Sequence, residues 1–153
     1  MKDHNPVHGS TKFRIKTIKE GRNFGTKAVW YGSTKVKISD PTKTIVDIFD
    51  DPKLVGGMSV VYDIFKEYSE SDYCDFELLR RYAKKMKNKT VFKRLGFIID
   101  TKFDSPPEEF EGLKEEISAG YSKFDPQITN TIIIEKWKLK VPVSWKREYD
   151  RKE

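Results

Sequence analysis

A chain of 153 residues, 37% hydrophobic and 13% aromatic, is long enough to bury one core and too apolar for a disordered tail, although 35% of it is charged. Thirty lysines and arginines against 24 aspartates and glutamates give a net charge of +6, which favours an acidic partner such as nucleic acid or the acidic face of a protein. One cysteine, Cys74, excludes an intramolecular disulfide and a cysteine-rich zinc site; with no long apolar run and no signal peptide, a cytoplasmic protein without a membrane partner is expected.

Residues 1–11 read as a flexible arm holding both histidines, His4 and His8. An i, i+4 histidine pair ligates metal on a helix, and Pro6 and Gly9 oppose one, so no metal site is expected. Three stretches then alternate basic with apolar residues, the period of a half-buried strand. Lys12, Arg14 and Lys16 flank Phe13 and Ile15; Lys35 and Lys37 flank Val36; Lys136, Lys138 and Lys140 flank Trp137 and Leu139. Ala28–Tyr31 joins Val36–Ile38 through Gly32-Ser33-Thr34 as a hairpin would, and Ile132–Ile134 extends the last strand or forms another. On a shared sheet the apolar sides cover the core. Lys12, Arg14, Lys16, Lys35, Lys37, Lys136, Lys138 and Lys140 then face outward as candidate nucleic-acid contacts.

The stretch KISDPTKTIVDIFDDP, residues 37–52, poses a choice between chemistry and architecture. A metal-dependent nucleotidyl transferase needs paired carboxylates two apart on a strand, downstream of a Gly-Ser. Gly32-Ser33 is followed by Asp40, but position 42 is Thr42 and Pro41 cannot continue a central strand. Asp47 and Asp50 are three apart, as are Asp72 and Asp75, so the signature fails at its second carboxylate. A helix start uses more of the residues. Asp40 or Ser39 caps it, Pro41 takes the first helical position, and Ile45, Val46, Ile48 and Phe49 form its buried side. Pro52 ends it. Asp47, inside that helix, is expected to pair with a lysine or arginine.

Gly56-Gly57 reads as a cap and link, since it lacks the Lys-Ser/Thr of a phosphate loop. A second helix follows with Met58, Val61, Ile64, Phe65 and Tyr68 on one face. The third starts at Asp75, with Phe76, Leu79, Ala83 and Met86 as its stripe, and the fourth follows Asn88. A fifth is expected from the capping box Ser105 to Glu108, with Phe110, Leu113 and Ile117 buried. From Leu79 to Ile99 there are eight basic residues and no acidic one. Among them Arg80, Arg81, Lys84 and Lys85 project away from the stripe and are candidate phosphate contacts. The order predicts an α+β fold: a small antiparallel or mixed sheet of N-terminal strands plus the C-terminal strand, packed on about five helices. It spans residues 12–146 as one domain, with a charged tail at 147–153. No nucleophile–base arrangement is present, so a non-enzyme is expected, with no catalytic residue, metal or cofactor.

These motifs also resemble a known family. Val36 to Asp47, then Asp51-Pro52 and Gly56-Gly57, is similar to the V-x-I-S-D-P-E-R/K-T-L-x-D…P…G-G signature of AbiEi-type antitoxins. Lys93 to Ile99 is similar to that family's R-R-L-G-Y-L-L. Leu113–Ser118, Phe124-Asp125-Pro126 and Lys136–Leu139 fit its ending. The resemblance covers roughly residues 12–141. It marks Ser39, Asp40, Pro41, Asp47, Gly56, Gly57, Arg94 and Gly96 as motif residues. It implies the C-terminal domain of an abortive-infection, type IV antitoxin, whose functional partner is a nucleotidyl transferase-like toxin without the need for a stable complex. Family members also repress their own transcription through an N-terminal winged helix. Only about eleven residues precede the first expected strand, so sequence-specific repression is not expected of this chain. A stand-alone DNA- or RNA-binding regulator module is the alternative.

Overall fold

In the computed structural model, which describes residues 5–152, the Ser-Asp-Pro stretch starts a helix. Asp40 is extended, at φ −69° and ψ 166°, and its carboxylate accepts the Lys43 amide at 2.7 Å. Helix α1 then runs Pro41–Asp50, with the proline where its missing amide is harmless. Its buried side is Ile45, Val46, Ile48 and Phe49, packed on α2 (Met58–Ser69), α3 (Phe76–Lys85) and α4 (Lys89–Lys102). Asp75 and Asn88 cap α3 and α4 through Leu78 and Thr90. Nine consecutive residues of α4, Val91 to Ile99, are buried, so this helix is the axis of the core.

The C-terminal third closes that core. Strand β7 (Leu139–Pro142) lies between β5 (Ser122–Lys123), parallel to it, and β6 (Thr131–Ile134), antiparallel. Leu139 and Val141 point inward, and α5 (Val143–Asp150) adds Trp145 and Tyr149. The rings meet in one cluster. Phe124 lies 4.9 Å from both Phe97 and Trp145, edge to face, and Tyr149 stacks on Phe97 at 5.4 Å. Strands, then helices, then strands make an α+β fold. No helix among the described residues is long and apolar enough to cross a membrane.

Several expectations need correction. Where a flexible arm was expected, Val7–His8 (β1) pairs with Thr11–Lys12 (β2); His4 lies outside the described residues. The strand expected at residues 12–16 does not form beyond Lys12. The Phe13 amide still reaches the Pro6 carbonyl at 2.9 Å, but no partner strand continues the ladder, and Phe13, Ile15 and Ile18 stay exposed. The N-terminal and C-terminal strands do not share a sheet. The hairpin does form, as β3 (Thr26–Tyr31) and β4 (Thr34–Ser39) around a two-residue turn, Gly32-Ser33, but it is a separate ribbon. Val29, Val36 and Ile38 take one face; on the other Trp30 pairs with Lys35 and Ala28 with Lys37, so its largest apolar residue shares a face with two lysines. That face cannot be buried without burying charge.

The fifth helix expected at Ser105 is replaced by two single 3₁₀ turns, Glu108–Phe110 and Leu113–Glu116. Pro107 is extended, at φ −59° and ψ 143°, and Gly112 at φ +72° breaks what remains. Phe110 and Leu113 still reach the core. The fifth helix is α5 instead, which includes residues 147–150 of the expected tail. The strand expected from Lys136 begins at Leu139, because residues 135–138 form the β6–β7 turn, with Lys138 left-handed at φ +51°.

Candidate nucleic-acid interface

The motif residues are structural, and they lean on one another. Asp40 caps α1 with one oxygen and accepts the Tyr82 hydroxyl with the other at 2.9 Å. Burial, with that bond second, raises the Tyr82 hydroxyl above its ordinary value. Ser39 ends β4, and Pro41 opens α1. Asp47 has the cation expected of it: Lys43, one turn back and itself buried, with its ammonium 4.9 Å from the Phe24 ring. Gly57, after Gly56, sits at φ +116°, and a Cβ there would stand 2.8 Å from the Asp125 carboxylate. That carboxylate accepts the Met58 amide at 2.8 Å, so α2 is capped from residue 125.

Arg94 joins the two ends of the domain. Its guanidinium donates to the carbonyls of Phe49 (2.7 Å) and Asp50 (3.0 Å) at the end of α1, and of Lys123 and Phe124 (2.9 Å each) beyond α4. Burial lowers its pKa to about 10, partly opposed by Asp50, Asp125 and Asp51, so it remains charged at neutral pH. Gly96, two residues on, faces Trp137 so closely that a Cβ would lie 2.2 Å from the indole, whose N–H donates to Asp100 at 2.7 Å.

The basic candidates divide. Much of the α3 face is neutralised: Lys84 is 2.7 Å and Arg80 3.9 Å from Glu116, and Lys89 at the start of α4 lies 3.6 Å from it. The hydrogen bond from Lys84 is the main cause that holds the Glu116 carboxyl below its ordinary range. Arg80 also donates to the carbonyls of Glu109 and Glu111. Lys85 lies 5.3 Å over the Phe24 ring. From Leu79 onward the helix carries only basic charge, because the counter-charges of that part arrive about thirty residues later. Lys16 pairs with Asp51, Lys136 with Asp100, Lys138 with Glu135, and Arg14 donates to the Lys53 carbonyl. Among the described residues no ion pair holds Lys12, Lys35, Lys37, Arg81 or Lys140.

No family model, curated protein or solved structure matches this chain. Its surface therefore has to speak for itself. A cavity of about 190 Å³ between the N-terminal segment and α1 is lined by Lys16, Arg22, Lys43, Asp47 and Asp50, among others, but Arg22 pairs with Asp50, Lys43 with Asp47 and Lys16 with Asp51. Among the described residues no cluster of three His, Cys, Asp or Glu side chains is arranged to hold a metal ion. The open chemistry is on the β3–β4 ribbon. Trp30 is 66% and Tyr31 85% exposed, and the Lys35 ammonium lies 5.9 Å from the Trp30 ring. Within the expected strand Ala28–Tyr31 the sequence reading gave Trp30 no face; the cross-strand partner set by a two-residue turn was the signal that it belongs with the lysines.

Proposed function

We propose that this chain is an antitoxin-type regulatory domain of a type IV toxin–antitoxin system, acting in the cytoplasm against a nucleotidyl transferase-like toxin by binding and not by catalysis. The observation that supports it most is the mutual contact of the residues behind the resemblance. Asp125 caps α2 beside Gly57, Arg94 ties α1 to residues 123 and 124, and Gly96 receives Trp137. Motifs that are scattered in sequence and meet in one framework are what a signature set by a shared fold contains. The aspartates of residues 37–52 also have structural duties. Asp40 caps, Asp47 pairs with Lys43, Asp50 holds Arg22 and Asn88, and Asp51 holds Lys16, which favours a non-enzyme. Co-expression with a nucleotidyl transferase-like toxin encoded beside it should restore growth. Arrest that persists despite soluble expression of this chain counts against the reading.

A nucleic-acid-binding module is the second reading, and it is compatible with the first. It is favoured by the cations without an ion pair, Lys12, Lys35, Lys37, Arg81 and Lys140, on a chain of net charge +6. Phosphate neutralisation makes affinity fall steeply with salt. Binding at about 50 mM salt that weakens strongly by about 200 mM is expected.

A further inference from the structure

We propose that the β3–β4 ribbon is a binding site for single-stranded nucleic acid, in which Trp30 stacks on an unpaired base while Lys35 and Lys37 hold the phosphates beside it. The inference rests on the nucleic-acid reading above and gives it a location and a substrate class.

Three observations carry it. Ala28, Trp30, Lys35 and Lys37 share one face of the ribbon, because the register sets Trp30 opposite Lys35 and Ala28 opposite Lys37. From Thr26 to Ser39 the ribbon holds three lysines and no acidic residue, and no ion pair to the rest of the described chain neutralises them. Both faces of the ribbon are open, although an isolated two-stranded ribbon is only marginally stable in water. Large exposed rings beside uncompensated cations match a ligand with alternating flat faces and negative charges.

Single strands fit better than duplex. A ribbon of this size can enter a major groove, but bases there are already stacked on one another and leave the indole nothing to cover. Unpaired bases present that face, and stacking on an aromatic side chain tolerates any base. A tryptophan already within reach of an ammonium is part of such a platform.

The tryptophans supply the readout. Trp137 and Trp145 are buried, so the exposed, red-edge emission belongs to Trp30. Titration with short oligo(dT) or oligo(rU) should quench that component, and a matched duplex should bind more weakly. Read by the anisotropy of a dye-labelled strand, because these variants lose the Trp30 signal, Trp30→Ala should weaken single-strand binding about ten- to hundredfold, the effect of one base–aromatic stack, and Trp30→Phe should restore part of it. Lys35→Ala/Lys37→Ala should reduce the slope of log affinity against log salt by about 1.4, at about 0.7 per lost phosphate contact. Unchanged thermal unfolding of these variants shows that fold is not the cause. Wild-type binding that survives in all three variants overturns the ribbon's part and leaves nucleic-acid binding standing. No binding of either nucleic acid by the wild type removes both. Equal or tighter binding of duplex overturns the single-strand assignment, and quenching only by phosphatidylserine vesicles overturns nucleic acid as the ligand.

Discussion

Arg94 and Lys93 are adjacent, buried and cationic, yet their surroundings treat the charge differently. Arg94 spreads its charge over four carbonyls in a planar fork, which a lysine cannot reproduce. Arg94→Ala leaves those carbonyls without a partner and should destabilise the fold by about 3–5 kcal/mol, read as a lower urea midpoint. Arg94→Lys should recover only part of it. Lys93, at 0% exposure, donates to the Gly120 carbonyl and lies 3.4 Å from the Ser122 hydroxyl, with no ion pair to a carboxylate among the described residues. Burial first, and Lys138 second, push its ammonium below its ordinary value. The unfolded chain therefore holds that proton more tightly, and the penalty of burying the charge fades as pH rises from the folded value toward about 10.5. The stability of the wild type relative to Lys93→Met should therefore be greater at high pH than at neutral pH. An equal difference in urea midpoint at both pH values would show that Lys93 does not titrate differently on folding.

Among the elements, α1 is the one whose cause is most local. Asp40→Ala removes the cap on Lys43 and the acceptor for Tyr82, and should cost about 1–2 kcal/mol by urea unfolding. Asp40→Asn keeps the oxygen that accepts the Lys43 amide but puts an NH2 where Tyr82 now donates, so it should recover only the cap's share of the loss. Because cap, first-turn proline and apolar spacing lie within a dozen residues, α1 was legible in the sequence, as were α2 to α4. The false fifth helix had the same local signal, but Pro107 and Gly112 overrode it. α5 had almost none: Trp145 and Tyr149 are its buried residues, and their reason for burial is the distant pair Phe97 and Phe124. The candidate site divides in the same way. Lys35 and Lys37 were visible from alternation, whereas Trp30 needed the register and the ion pairs of α3 needed the loop at Glu116.

At the scale of the whole molecule, sequence charge overstated the basic surface. Lysines and arginines that crowd α3 meet acids folded back from elsewhere, those of the last turn meet Asp100 and the neighbouring Glu135, and the uncompensated cations include those on the ribbon. The core and the open face are thus built from different segments, so substitutions can address one without the other. The Arg94 clasp has a topological consequence as well. By fixing the end of α1 to residues 123 and 124, it makes everything between Asp51 and Lys123 a closed loop. A single backbone cut in the exposed 104–106 connection would leave two fragments still held by the clasp, by the Asp125 cap and by the ring cluster. Such halves would be expected to elute as one particle.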